Sequence, residues 1–237
     1  MKPVMNSFLS AALFVLMTVL SSQVQAEKLD SMAERLQACV ICHAAKDTQS
    51  ADAYYPRIAG KPAGYLYNQL SNFRDGRRTY TPMTNLLDTL SEDYLKQIAA
   101  YFSSLHPAFA PEVSAAVTPA LFTRGQLLVR QGDPAKKIPA CAACHGSRLL
   151  GVVPAIPGLL GLPRDYINAQ FGAMRNGSRR NSSPDCMAQI ARRLSADDIN
   201  SVATWLSAQP IVGDEAPDAV LPDPMPLRCG SVTPEAK

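Results

Sequence analysis

Cys141-Ala142-Ala143-Cys144-His145 is the stretch whose reading decides the fold. Cys-x-x-Cys-His is the attachment signature of a c-type haem. Two thiols on one helical turn each bond a haem vinyl group, and the adjacent imidazole becomes an axial ligand of the iron. A second copy, Cys39-Val40-Ile41-Cys42-His43, lies 102 residues earlier. The surroundings repeat as well. Pro157, Gly161, Tyr166, Gln170 and Gly177 answer Pro56, Gly60, Tyr65, Gln69 and Gly76, each at an offset of 101. This internal duplication predicts an all-α protein of two tandem haem domains, with little or no sheet and two covalently bound haem c groups.

Outward from the motifs, apolar spacing predicts the helices. Leu29, Met32, Ala33 and Leu36 form one face of a helix running into Cys39, with Asp30 or Ser31 as cap. After a polar loop from Ala44, a helix from about Pro62 to Arg74 ends at Asp75-Gly76. Arg77 to Met83 reads as a loop. Ser91 opens the next helix, with Glu92 and Asp93 in its first turn, where the helix dipole favours acids. Its stripe is Leu95, Ile98, Ala99, Phe102 and Leu105. In the second half Thr118-Pro119 starts one helix. Ser195 and Asp198 form a capping box for the last helix, whose stripe is Ile199, Val202, Ala203 and Leu206.

The resulting division is a leader at 1–26, a first haem domain at 27–107 and a linker at 108–118. A second haem domain follows at 119–208, then a Pro-rich tail at 209–237. The leader has Lys2 as its positive end, an apolar run from Phe8 to Leu20 and Val24-Gln25-Ala26 at its cleavage site. Its 13-residue apolar run is short for a membrane span. The expectation is cleavage after Ala26 and a periplasmic product. The formal charge is +3, falling to +2 once Lys2 is removed. That is no footprint of a nucleic-acid binder.

Haem iron held by histidine on one side takes Met, His, another ligand, water or nothing on the other. Met83 lies 40 residues after His43, and Met187 lies 42 after His145. Each stands eight residues before a helix-capping serine, Ser91 or Ser195. This matched pair supplies the expected second ligands, giving His43 with Met83 and His145 with Met187. His106 precedes Pro107 at a helix end and receives no ligand role, and Met174 reads as core.

With these elements assembled, the chain from about Leu29 to Ala208 resembles the tandem diheme cytochromes of the c4 type, built from two class I cytochrome c domains. The resemblance implies that Pro56 and Pro157 accept, through their carbonyls, a hydrogen bond from the proximal histidine. It also implies two domains packed about a pseudo-twofold axis. Three features depart from the family pattern. Ala44 replaces the glycine that Gly146 keeps, Cys186 directly precedes Met187, and the tail beyond Gln209 is additional.

Four of the six cysteines, Cys39, Cys42, Cys141 and Cys144, belong to haem motifs, which leaves Cys186 and Cys229. An even remainder in an oxidising compartment favours a disulfide over two free thiols. Closing 43 residues contributes about 3–4 kcal/mol in the chain-entropy description and would hold Met187 in place. Arg74, Arg77 and Arg78 match Arg175, Arg179 and Arg180. Three readings of them stay open: partners of haem propionates, a docking patch, or a solvated loop.

The function expected is electron carriage between a donor complex and a terminal oxidase or similar high-potential acceptor, with redox proteins as partners and no small-molecule substrate. Any membrane association would be loose and through those partners. The alternative is the cytochrome subunit of a periplasmic dehydrogenase, for example a flavoprotein, for which the tail would serve as an interface. A haem enzyme such as a diheme peroxidase needs an iron that opens, and the methionine pair stands against it.

Overall fold

Hydroxyl side chains of Ser91, Thr118 and Ser195 cap three of the long helices, and Pro62 and Pro163 precede two others. The computed structural model describes residues 31–43, 55–106, 118–211 and 216–232. The leader, residues 27–30 with Leu29 and Asp30, the loop at 44–54, residue 107, residues 108–117 of the linker, and 212–215 and 233–237 of the tail lie outside the described residues, so the expectations placed on them have no structural counterpart here. The chain divides into units at Met1–Arg35 and Leu36–Lys237. In the first unit, α1 (Met32–Arg35) is started by Ser31, whose Oγ accepts from the Glu34 N–H.

The second unit carries everything else. The helix expected to run unbroken into Cys39 is divided, and α2 (Gln37–His43) begins afresh after Leu36. The Leu36 carbonyl accepts from both Cys39 and Val40, the mark of a tightened turn. Next come α3 (Ala63–Arg74), α4 (Thr81–Leu87) and α5 (Glu92–Ser103). The sequence predicted a loop over Arg77 to Met83, but α4 already begins at Thr81. Pro82 in its first turn is compatible with a helix start, because the N–H it lacks would be unpaired there anyway. Ser91 Oγ accepts from the Tyr94 N–H to cap α5. Leu66, Phe73, Leu87, Leu95, Ile98 and Phe102 from these helices are buried.

The second half runs α6 (Pro119–Arg130), a 3₁₀ turn (Pro134–Lys136) and α7 (Ala142–His145), then the short strands β1 (Gly151–Val152) and β2 (Ile156–Pro157). It closes with α8 (Arg164–Asn176), α9 (Cys186–Arg193) and α10 (Ala196–Ser207). The strands pair antiparallel, Gly151 with Pro157 and Val152 with Ile156. Helices α6 and α10 cross so closely that a Cβ on Gly125 would lie 2.1 Å from the Ser201 carbonyl oxygen. Around that crossing Leu128, Val129, Val202, Trp205 and Leu206 form a core with Leu149, Leu150 and Ile190. The predicted capping box at Ser195 and Asp198 is present. Asp198 also accepts from Arg124 at 2.9 Å and Lys136 at 2.6 Å. Burial pushes this carboxyl up, but its bonds to Lys136, Arg124 and Ser195 outweigh that and hold it well below the usual carboxylate range.

The tail straps the second half. Asp218 exchanges backbone bonds with Gly151 and Val153 and pairs with Arg148 at 2.6 Å. Further on, Cys229 is bonded to Cys186, and Gly230 N–H donates to the Pro184 carbonyl. The even cysteine remainder is therefore a disulfide across 43 residues.

Candidate haem sites

Helices α2 and α7 each end on a histidine whose ring is fixed by a proline carbonyl. His43 Nδ1 donates to the Pro56 oxygen at 2.9 Å, and His145 Nδ1 to the Pro157 oxygen at 2.8 Å. In the second half the β-hairpin presents that carbonyl. With Nδ1 occupied as donor, Nε2 of each ring keeps its lone pair for a metal. Burial lowers the pKa of both histidines against the opposing pull of the proline bond, which favours the neutral imidazole a metal needs.

Cys39, Cys42, Cys141 and Cys144 take no part in a disulfide. Burial pushes the Cys141 thiol up to about 12 and raises Cys39 and Cys144 as well. Met83 and Met187 occupy the first turns of α4 and α9, both half-buried. Both lie within short helices rather than loops. Asp185 Oδ1 caps α9 by accepting from Ala188, and the neighbouring Cys186 ties the same turn to the tail. His106 Nδ1 meets the Ser104 carbonyl, and Met174 is buried as expected of a core residue.

The arginines separate into two kinds. Arg175 and Arg180 are exposed and Arg74 and Arg77 half-buried, but Arg78 and Arg179 are buried, so the solvated-loop reading fails for them. They face each other in an antiparallel bridge between the two halves. Arg78 donates to Gln69 at 3.0 Å, Tyr166 at 3.0 Å and Gln170 at 2.8 Å. Arg179 donates to Gln170 at 2.9 Å, Tyr65 at 3.2 Å and Gln69 at 3.1 Å. The six residues are three pairs at the 101-residue offset, so the network has the twofold pattern of the duplication. The sequence revealed the repeated Tyr and Gln without a role for them. Their signal was spacing on one helix face, four residues apart.

This layer also tests the fit of haem. Among the described residues no ion pair reaches Lys61, Arg78 or Arg179, although all three are buried. Arg179 Nε has no hydrogen-bond partner. Buried cations need anions, and a haem brings carboxylates. Thiol pairs, imidazole Nε2 atoms free for a metal, and buried cations without an ion pair among the described residues together match what covalent haem requires.

No family model matches the chain. It is 37% identical over 174 residues to a protein of Thiomonas intermedia named thiosulfate dehydrogenase electron acceptor, covering 73% of this chain and 79% of that one. It is 35% identical to cytochrome c4 of Pseudomonas aeruginosa, covering 71% and 82%. The chain belongs to the cytochrome c4 family. Reduced cytochrome c4 of Pseudomonas stutzeri has the same fold, with a TM-score of 0.64 at 31% identity over 73% of this chain and 94% of that one. Thiosulfate dehydrogenase of Marichromatium purpuratum matches with the same TM-score and identity, over 36% of its own chain. This c4-type cytochrome is thus a diheme electron-transfer protein of two class I halves with covalently bound haem c. Its Gly146, at φ +84°, has a reason beyond the motif. A Cβ there would lie 2.6 Å from Asp218 Oδ2, where the tail passes.

Proposed function

We propose that this c4-type cytochrome is an exported periplasmic carrier that accepts electrons from a thiosulfate-oxidising dehydrogenase and passes them to a terminal oxidase or another high-potential acceptor. In this reading 27–107 and 119–208 are its two haem domains. Cys39 and Cys42 bind the first haem and Cys141 and Cys144 the second, with His43 and Met83, and His145 and Met187, as axial ligands. The observation that carries it is the matched pair of sites, each with a histidine held by a proline carbonyl and a methionine at a helix start. Haem supplies one-electron chemistry, and Met/His ligation favours a high potential. The chain does the rest. Pro56 and Pro157 fix the rings, α4 and α9 hold the sulfurs, and buried side chains limit water. With both axial positions filled, no place is left for a substrate. Relatives named as electron acceptors of thiosulfate dehydrogenase support the choice of donor. No helix among the described residues is long and apolar enough to cross a membrane.

The alternative, a permanent cytochrome subunit of such a dehydrogenase, draws support from the match to part of a thiosulfate dehydrogenase chain. Stopped-flow mixing tests the carrier reading. The oxidised protein should be reduced quickly by thiosulfate plus catalytic thiosulfate dehydrogenase, and not by thiosulfate alone. Turnover of thiosulfate by the isolated chain would make it an enzyme and contradict the proposal.

A further inference from the structure

Where the 101-residue repeat fails, the two sites part company. The first half reads Pro56-Arg57-Ile58-Ala59-Gly60-Lys61, and the second reads Pro157-Gly158-Leu159-Leu160-Gly161-Leu162. Two cations therefore stand opposite a glycine and a leucine. Arg57 is only 6% exposed and Lys61 only 4%.

Gly158 has a steric reason to be glycine. A Cβ there would lie 2.5 Å from the Leu150 carbonyl oxygen and 2.7 Å from its carbon, both backbone atoms. The second half has no room for a side chain at the position where the first half carries Arg57. Lys61 of the first half arrives instead. Its Nζ donates to the Gly158 carbonyl at 2.7 Å, one residue beyond the carbonyl that holds His145. That contact brings the Lys61 amine to the backbone segment that positions the His145 ring. Burial, and Arg57 after it, drive Lys61 toward the neutral form. No carboxylate among the described residues forms an ion pair with it. The carboxylates that a haem brings are the anions able to keep it charged.

We propose that Lys61 is the cation of the second haem site, supplied across the interface by the first half, and that it raises the reduction potential of the second haem selectively. The physical reason is sign. A ferric haem carries one more positive charge than a ferrous one, so a nearby buried ammonium favours the reduced form. The proposal rests on reading Cys141, Cys144 and His145 as a haem site.

The test uses the full haem-loaded chain and its Lys61→Gln, Lys61→Met and Lys61→Arg variants. Haem is counted first, and two per chain are expected in all four. Spectroelectrochemical titration followed by NMR then assigns each one-electron step through the signals of that haem's own axial ligands. Loss of the charge should weaken reduction of the second haem about tenfold, a fall of about 59 mV for one electron, with the first haem moving less. Lys61→Gln keeps a hydrogen-bond donor for Gly158, so an equal fall in Gln and Met assigns the effect to charge. Lys61→Arg should retain the wild-type potential. An unshifted second haem in Lys61→Gln, equal shifts of both haems, or an Arg variant that falls as far as Met would each overturn the proposal. Fewer than two haems in the wild type would overturn it differently, by removing the site itself.

Discussion

Replacing Arg78 or Arg179 by methionine is expected to destabilise the haem-loaded protein by about 2–4 kcal/mol each, and the double variant by more than the sum. Each guanidinium makes three charge-assisted hydrogen bonds inside the interface between the halves. Bonds to charged groups contribute about 1.5–3 kcal/mol apiece before losses are offset. The single variants are cushioned, because Gln69 and Gln170 each keep the other arginine as donor. Arg78→Met takes from the Tyr166 hydroxyl its donor at 3.0 Å, and Arg179→Met takes from Tyr65 its donor at 3.2 Å. Each single change also relieves the repulsion between two neighbouring cations, and that relief is obtained only once. Both effects act in one direction, so the double variant should exceed additivity by about 1 kcal/mol. Urea unfolding of the four proteins measures this. Additive losses, or single losses under about 0.5 kcal/mol, would mean that the arginine layer does not hold the halves together. The stake is large against a typical stability of about 5–15 kcal/mol.

The second large effect concerns the disulfide. Cys229→Ser should cost about 3–4 kcal/mol through loss of a 43-residue closure. It should also act on one haem only. Cys186 is the first residue of α9 and Met187 the second, so the bond anchors the turn that presents the sulfur. Met83 on α4 has no such anchor, since Thr81 and Pro82 precede it. Cyanide should therefore bind to one haem of the two in Cys229→Ser and rapidly to neither in the wild type. A variant that remains inert at both haems would show that the tail holds the fold without holding the ligand.

Much of this architecture is legible in the chain because covalent haem leaves a rigid pattern. The Cys-x-x-Cys-His spacing, the prolines and the capping serines follow from local chemistry. The fate of the arginines does not. Arg78 and Arg180 look alike in sequence, each in a polar run after a helix, yet one is buried at the interface and the other is exposed. Only packing of the two halves separates them. Lys61 is similar, since its partner Gly158 is 97 residues away. Helix α4 was hidden because Pro82 resembles a loop residue until its first-turn position is known. The tail, which reads as Pro-rich and irregular, gains its order from long-range bonds of Asp218 and Cys229.

The central claim is two haems per chain, both closed by methionine and both used for electrons. It is tested most directly by titrating the purified protein with a one-electron reductant under carbon monoxide while counting haem. The account predicts two haems, two electrons and no rapid carbon monoxide adduct at either iron. A haem that takes up carbon monoxide rapidly would contradict it, and would reopen the reading of that iron as a reactive centre.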